Sequence, residues 1–206
     1  MQRLRDLSRL VEAVFNELSE SFGEYQKRRG LDCVSGCGAC CNNPAIEATP
    51  LEMLPLALRL YDEGRAEQVF AELEIYSGFA CYHFQRASLD GSQGQCGVYQ
   101  ERPAICRMFG AAGYGGKDGK IQISTCKPIK ATHPQQYADS LIAMESDPPP
   151  MLRHGKERVK QLDYDLGKQD MPINQALKYV LEKVMMQAYF FGADDPHGWD
   201  DGSRVA

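Results

Sequence analysis

The sequence predicts a mainly α-helical fold with a small antiparallel β portion, which is an α+β fold. In this prediction, bound metal holds a cysteine-rich core together, and helices from both ends of the chain pack around that core. Three observations lead to this prediction. Apolar residues recur at three- and four-residue spacing near both ends of the chain, as in amphipathic helices. Short alternating segments joined by glycine-rich turns lie between them. All eight cysteines fall within residues 33–126.

The length of 206 residues fits one domain with a sizeable core. We expect a single domain over 1–206. Its parts are an N-terminal helix at 1–30, a cysteine-cluster metal-binding core at 31–130, a helical C-terminal part at 131–192 and a frayed tail at 193–206.

Composition excludes several function classes. A formal net charge of −5 gives no basic footprint for nucleic acid. The N-terminus carries charges where a secretory signal would be apolar, and no apolar run approaches the length of a membrane span. We therefore expect a cytoplasmic protein with neither a nucleic-acid nor a membrane partner. Thiols stay reduced in the cytoplasm, where clustered cysteines indicate metal binding or catalysis more often than disulfides.

The first predicted element is an amphipathic helix over residues 3–25, with Gly30 as a suitable stop after it. Its apolar stripe consists of Leu4, Leu7, Val11, Val14, Leu18, Phe22 and Tyr25.

Two further helices are predicted after the first group of cysteines. Thr49 and Glu52 form a capping-box pattern with a proline at the first helical position, which predicts a helix over 50–61 that breaks at Gly64. A second helix is predicted over 65–76.

A β-hairpin is predicted next. Residues 80–87 and 96–99 are the predicted strands, and they flank the turn-rich segment 90–94. Cys81 therefore lies near the start of the first strand and Cys96 at the start of the second.

The last two cysteines belong to small elements that follow the hairpin. Pro103 can open a short helix that carries Cys106. Residues 110–119 contain five glycines and are predicted to form a flexible loop. A short strand is predicted at 120–125, directly before Cys126.

The remaining chain is predicted to be helical. Segments 134–145 and 152–166 are separated by a proline-rich linker. The last helix begins near Pro172, with Gly192 as its C-cap.

The densest group of cysteines lies in residues 33–41, which read CVSGCGACC. Its cysteines are Cys33, Cys37, Cys40 and Cys41. Thiols this close together chelate a metal, form redox disulfides or carry out thiol chemistry. Gly36 and Gly38 can take positive φ, which lets the loop curl around a bound ion. The spacing of Cys37 and Cys40 lets both sulfurs reach one metal centre.

Two motifs together resemble the cysteine-cluster proteins, a bacterial family described as a zinc- or iron-chelating domain that is also found in flagellin lysine methylases. They are Cys33-x3-Cys37-x2-Cys40-Cys41 and Cys96-x2-Tyr99-x2-Arg102-Pro103-x2-Cys106-Arg107-x-Phe109. The resemblance covers residues 33–126. It implies a metal or iron–sulfur site built from Cys37, Cys40, Cys41, Cys81, Cys96, Cys106 and Cys126, with Cys33 completing the first motif. One departure is His83, where the family pattern has an apolar residue.

Three other interpretations of the cysteines fit the sequence less well. The spacing of Cys33, Cys37 and Cys40 also occurs in radical-SAM iron–sulfur enzymes, but there the loop follows the first strand of a β/α barrel, whereas a helix precedes it here. A thioredoxin-like pair would need a βαβ context that the sequence lacks. Unligated structural thiols are a weak explanation for four cysteines in nine residues.

The pattern favours an iron–sulfur cluster of the [4Fe–4S] type over zinc, because three closely spaced thiols with a remote fourth resemble cluster ligation. Structural zinc more often uses two short knuckles. Eight cysteines can serve one site or two. Cys40 and Cys41 point apart if their backbone is extended, which would let them serve different metals.

Other side chains are candidates for support of the site. Arg102 and Arg107 flank Cys106, where guanidinium groups could offset thiolate charge. His83 could be a ligand, although a hydrogen-bonded structural histidine is favoured.

The sequence therefore predicts a metal-binding cysteine-cluster protein that holds an iron–sulfur cluster and has a redox, electron-transfer or metal-handling role, with an unidentified protein or redox partner. The alternatives are a zinc-stabilised non-catalytic interaction module and, from the resemblance, an accessory protein to a methylase-like enzyme. No motif for a methyl-transfer cofactor is present in the sequence, and whether the protein is an enzyme stays open.

Overall fold

The computed structural model describes residues 1–191, so the predicted cap at Gly192 and the predicted frayed tail at 193–206 lie outside the described residues. The helices are α1 Gln2–Arg29, α2 Pro50–Asp62, α3 Ala66–Ile75, α4 Ala104–Met108, α5 Lys127–Thr132, α6 Pro134–Ile142, α7 Leu152–Lys160, α8 Tyr164–Gly167 and α9 Ile173–Phe191. The strands are β1 Glu47–Ala48, β2 Phe84–Arg86, β3 Gly94–Cys96, β4 Ala112–Gly115, β5 Ile121–Ser124 and β6 Met171–Pro172. Single 3₁₀ turns occur at Tyr99–Glu101 and Ala143–Glu145.

The strands form three separate antiparallel ribbons, β1 with β6, β2 with β3 and β4 with β5. The prediction of a mainly α-helical fold with a small antiparallel β portion is confirmed. Within residues 1–191, no helix combines the length and the apolar composition needed to cross a membrane.

Helix α1 buries the apolar stripe that its sequence predicts. The buried side chains include all seven of the predicted stripe. The helix ends at Gly30, whose φ of 63° is left-handed and whose N–H bonds to the carbonyls of Gln26 and Lys27. The stripe packs α1 against α2 and α4.

Helix α2 begins with the predicted capping box. The Thr49 hydroxyl accepts a hydrogen bond from the Glu52 N–H at 3.2 Å, and the Glu52 carboxylate accepts one from the Thr49 N–H at 2.7 Å. Nearly every residue of α2 is buried, because α1 covers it on one side and α9 on another. Helix α3 agrees with the prediction at 65–76 to within a residue at each end.

The first hairpin differs from its prediction in the bounds of its strands, since β2 covers only Phe84–Arg86 of the predicted 80–87. Its return strand is β3, which ends at Cys96, so the predicted strand at 96–99 is wrong and Tyr99 begins a 3₁₀ turn. The cause is a tight turn held by Asp90, whose carboxylate accepts a hydrogen bond from the Ser92 N–H at 3.0 Å and one from the Ser88 hydroxyl at 2.6 Å.

The predicted flexible loop at 110–119 is also wrong, because β4 and β5 form a second hairpin there. Gly113 donates to the Pro150 carbonyl at 2.8 Å, and a Cβ on it would lie 2.8 Å from the Met151 sulfur. At Gly113, therefore, the missing side chain allows close packing of backbone against the linker before α7.

The C-terminal elements are shorter than predicted. The helix predicted over 152–166 divides into α7 and α8, since Asp163 caps α8 by accepting the Leu166 N–H at 3.0 Å. The segment 134–145 ends as a 3₁₀ turn after α6. The sequence predicted neither helix α5 nor the β1–β6 ribbon. The two strands of the ribbon have only two residues each, which is too short for a periodic pattern of apolar residues.

Two apolar clusters contact the cysteines. The main cluster is formed chiefly by α1, α2, α3 and α9, and Cys81, Cys96 and Cys106 pack against it. A small cluster packs against Cys126. Its buried members are Tyr25, Leu31, Ala111, Ile123 and Ile129. The cysteine-rich region therefore lies at the junction of the two clusters.

Candidate metal centre

The loop 33–41 docks on the first hairpin as an additional extended segment. Cys37 forms an isolated antiparallel bridge with Gln93. On either side of it, Gly38 donates to the Ser92 carbonyl at 3.2 Å and Gly94 donates to the Gly36 carbonyl at 2.9 Å. These two hydrogen bonds form the bridge and fix the dense cysteine loop against β3.

The two glycines of this loop have different roles. Gly36 has a φ of 69°, as the sequence predicts. The prediction of positive φ is wrong for Gly38, which is required for space instead, because a Cβ there would lie 2.3 Å from Cζ of Phe84. A Cβ on Gly94 would also lie 2.3 Å from this ring. The Phe84 ring therefore lies against two glycines, one on the loop and one on β3.

The loop then turns at Cys40 and Cys41. Asn42 donates to the Gly38 carbonyl at 2.9 Å, and Asn43 donates to the Cys40 carbonyl at 3.3 Å. The extended backbone that would separate the two side chains is thus absent from this turn. The thiol of Cys41 instead hydrogen-bonds to the Cys40 sulfur.

Hydrogen bonds fix the backbone of Cys81 and of the residues on both sides of it. Its N–H donates to the Cys41 carbonyl at 2.9 Å, which joins the two cysteine segments directly. The Asn174 side chain accepts from the Tyr82 N–H at 2.8 Å and donates to the Ala80 carbonyl at 2.9 Å. Asn174 therefore brackets Cys81 from the first turn of α9. No sequence motif pointed to this residue.

Cys106 lies on α4, which Pro103 precedes as predicted. The Ala104 N–H donates to the Glu52 carboxylate at 3.1 Å, which ties the start of α4 to the start of α2. On the far side of α4, a Cβ on Gly155 would lie 2.2 Å from the Met108 sulfur, so α7 approaches α4 closely. Cys106 is thus positioned by two other helices.

Backbone N–H groups are directed at several of the sulfurs. His83 donates to Cys81, Val98 donates to Cys96, and the Ile129 N–H donates to Cys126. Such hydrogen bonds favour the thiolate form, which is the form that binds metal.

The Cys41 thiol hydrogen-bonds to the sulfurs of Cys40 and Cys96, and these bonds change the pKa of all three thiols. They lower the pKa of Cys40 to about 6 and the pKa of Cys96 to about 7. They raise the pKa of Cys41, which is the shared donor.

Burial raises the pKa of the remaining shifted thiols. It raises the pKa of Cys81 to about 11 and also raises the pKa of Cys33, Cys106 and Cys126. Metal binding must displace these protons.

All eight cysteines are free thiols, seven of them half-buried and Cys33 exposed. Within residues 1–191, no three Cys, His, Asp or Glu side chains have the geometry to hold one metal ion. The donor chemistry nevertheless suits zinc and iron, since thiolates are the ligands that both favour and backbone donors already face three of the sulfurs. Metal binding would therefore require the cysteine sulfurs to move closer together.

The two candidate arginines differ. Arg102 acts electrostatically on Cys33, Cys40, Cys96 and Cys106, and its guanidinium stacks on the exposed Tyr99 ring at 3.8 Å. Its Nε is buried and has no hydrogen-bond partner in the described part of the chain. This agrees with the prediction that a guanidinium offsets thiolate charge.

The hydrogen bonds of Arg107 serve the fold. Its guanidinium donates to the Arg102 carbonyl at 2.9 Å and to the Ser19 hydroxyl at 2.9 Å, and it lies 4.5 Å from the centre of the Phe15 ring. Arg107 therefore joins α4 to α1, and Cys106 also acts electrostatically on its guanidinium, as expected of a cation that offsets thiolate charge.

The His83 ring packs edge-on against Tyr82, with ring centres 4.9 Å apart. Burial and, to a smaller extent, the charges of Arg59 and Arg65 together lower its pKa to about 4, so the ring is neutral at physiological pH. Its Nε2 has no hydrogen-bond partner among residues 1–191. The ring is therefore held by packing, and the expectation of a hydrogen-bonded histidine is wrong for this nitrogen.

Comparison with known proteins places this site in a family. Residues 32–133 match the CxxCxxCC family model, described as "Putative zinc- or iron-chelating domain". A UPF0153 protein of Pseudomonas aeruginosa is 33% identical over 81 residues, which is 39% of this chain and 70% of that protein. No solved structure matches significantly. On the matched cysteine region and this relative, the chain belongs to the CxxCxxCC family.

Proposed function

We propose that this chain binds an iron–sulfur cluster through its cysteines and has a redox, electron-transfer or metal-handling role in the cytoplasm. Membership of the CxxCxxCC family supports metal binding as such. The observation that carries the proposal furthest is that backbone N–H groups face the sulfurs of Cys81, Cys96 and Cys126. Hydrogen bonds to ligating sulfur stabilise thiolate and adjust the reduction potential of iron–sulfur centres.

The candidate ligands are the eight cysteines, Cys33, Cys37, Cys40, Cys41, Cys81, Cys96, Cys106 and Cys126. An iron–sulfur cluster, when bound, supplies one-electron chemistry. The protein's own contribution is to hold the sulfurs on short rigid elements, to offset their charge with Arg102 and to direct N–H donors at them. Three closely spaced thiols in the dense loop with remote ones elsewhere favour iron–sulfur over zinc.

Zinc is the second candidate, and one observation favours it. Cys81, Cys96 and Cys106 pack against the main apolar cluster, as expected of a closed structural site. A zinc ion held there by these three thiolates and a fourth cysteine would have no open coordination position and would stabilise a non-catalytic interaction module.

The experiment is anaerobic purification followed by analysis of iron, zinc and acid-labile sulfide, together with visible absorption. We expect brown protein with iron and sulfide in comparable amounts. His154→Ala, which removes an exposed histidine far from any cysteine in sequence, is the control and should retain the same metal content. Colourless protein with stoichiometric zinc would replace the iron–sulfur proposal by the zinc candidate, and metal-free protein would contradict both.

A further inference from the structure

A cavity lies beside the segment that leads to Cys81, outside the candidate metal centre. Its volume is about 380 Å³, near the lower end of the range of roughly 300–1,000 Å³ that is typical of small-ligand pockets. The end of α3, the segment between α3 and Cys81, and the first two turns of α9 form most of its walls. None of the described residues that line it is a cysteine, so the cavity is separate from the cysteine cluster.

One wall of the cavity is apolar and aromatic. Leu73, Tyr76 and Phe79 line it. Phe79 is 62% exposed and Tyr76 is 37% exposed, so the described part of the chain leaves two large rings uncovered at this point. Such rings gain contact area and favourable stacking or edge-to-face geometry from another ring. This wall therefore suits a ligand with one or two flat rings.

The wall contributed by α9 is polar. The amides of Asn174 and Gln175 line it, and Lys178 is the one charged residue among the described lining residues. The first turn of α9 contains no acidic side chain, and a helix N-terminus favours negative charge. The cavity therefore favours a ligand that carries an anionic group.

Lys178 has a partner that an anionic ligand must replace. Its Nζ lies 3.1 Å from the Glu74 carboxylate, and the two side chains are 37% and 52% exposed. An ion pair this exposed contributes little to stability, because water screens both charges. A ligand carboxylate can therefore take the place of Glu74 at the amine, with Glu74 as its competitor.

Two lining side chains also hold the backbone on both sides of Cys81. The Asn174 amide accepts a hydrogen bond from the Tyr82 N–H at 2.8 Å and donates one to the Ala80 carbonyl at 2.9 Å. The Tyr76 hydroxyl donates to the same Ala80 carbonyl at 3.2 Å. A ligand that rests on Asn174 and Tyr76 therefore restricts the motion of the segment that carries Cys81.

We propose that this cavity binds a small aromatic carboxylate and that the bound ligand stabilises the segment that carries Cys81. The ring of the ligand lies against Tyr76 and Phe79, and its carboxylate lies on the Lys178 amine. This inference goes beyond the proposed function, because binding in the cavity needs no metal. It gives the chain a small-molecule site next to the cysteines, and a ligand and a metal that stabilise the same segment favour each other's binding.

The test is calorimetric titration of the full-length protein, as purified, with indole-3-propionate as the probe. We expect a dissociation constant on the order of 1 mM or lower, as for a small ligand with few polar contacts. The matching alcohol, indole-3-propanol, carries no charge and should bind more weakly. Hydrogen exchange followed by mass spectrometry should show that indole-3-propionate slows exchange in peptides that contain Tyr82.

Variants locate the bound probe. Lys178→Met should weaken binding of the acid about 5-fold and leave binding of the alcohol unchanged. Lys183→Met, on the same helix but outside the cavity, is the control and should alter neither. Glu74→Gln removes the competing carboxylate and should strengthen binding of the acid about 2-fold. Phe79→Ala should weaken binding of both compounds, whereas Leu89→Ala, which removes a fully exposed side chain elsewhere, should not.

Each outcome decides a part of the proposal. Absence of binding at about ten times the expected dissociation constant overturns it, as does binding that neither Lys178→Met nor Phe79→Ala changes. Binding in the cavity with unchanged exchange at Tyr82 overturns the connection to the Cys81 segment. None of these measurements depends on metal. The iron, zinc and sulfide content of the same samples tests the proposed function, so the two failures are distinguishable.

Discussion

The carboxylate of Glu52 accepts hydrogen bonds from the Thr49 N–H at 2.7 Å and from the Ala104 N–H at 3.1 Å. One buried side chain thus completes the N-terminal cap of α2 and holds the first turn of α4, the helix that carries Cys106. A local capping motif therefore also fixes the position of a candidate ligand, through a contact between residues 52 positions apart.

Glu52→Ala is expected to destabilise the protein by about 2–4 kcal/mol, because a lost cap costs about 0.5–2 kcal/mol and each buried N–H left unsatisfied costs about 1–3 kcal/mol. Urea unfolding measures the change. Glu67→Ala is the matched control, since Glu67 also lies in the first turn of a helix but is exposed. Its effect should stay within about 0.5 kcal/mol. Equal losses in the two variants would contradict the role of Glu52.

Glu52 also predicts a pH dependence of stability. Burial raises the pKa of Glu52 above its ordinary value of 4.5. The folded state therefore binds this proton more tightly than the unfolded state, and its contribution to stability is present below pH 4.5 and is lost as the pH rises through the raised folded pKa. The free energy of unfolding of the natural protein minus that of Glu52→Gln should fall over this range. A difference that rises with pH would contradict a raised pKa.

The sequence predicted what local patterns determine. The stripe of α1 and the Thr49–Glu52 cap follow from helical spacing alone, and both are confirmed. The second hydrogen bond of Glu52 could not be predicted, because it depends on how α4 packs. The hairpin at 110–119 could not be predicted for a related reason, since the close approach of Gly113 to the Met151 segment is a tertiary contact. Likewise, the motifs identified the cysteines but not the apolar cluster on which each rests.

Gly38 yields a prediction about the dense cysteine loop. Gly38→Ala should cost about 1–3 kcal/mol, because its Cβ would lie 2.3 Å from the Phe84 ring and would force the loop off the hairpin. Combining it with Phe84→Leu should cost less than the sum of the two single changes, since the smaller side chain relieves the overlap. Thermal unfolding and metal content of the four proteins measure this coupling.

Gly36 provides the control for this cycle. A Cβ on Gly36 meets nothing within 4 Å, so Gly36→Ala suffers only the strain of its φ of 69°, about 1–2 kcal/mol. Phe84→Leu should not relieve that strain. Additive effects in the Gly38 cycle, or equal coupling in the Gly36 cycle, would show that the Phe84 ring does not set the position of the loop.

Asn174 yields the last prediction, on a residue that no motif identified. Its amide accepts from the Tyr82 N–H and donates to the Ala80 carbonyl, so Asn174→Ala frees the backbone on both sides of Cys81. We expect a loss of about 1–3 kcal/mol in stability and faster release of metal to a chelator. Asn174→Asp keeps the acceptor for Tyr82 but loses the donor to Ala80, so its effect should be intermediate. Gln175→Ala removes an exposed neighbouring amide and should change neither measurement. If Asn174→Ala destabilises the protein but its metal dissociates at the natural rate, Asn174 supports the fold without positioning Cys81.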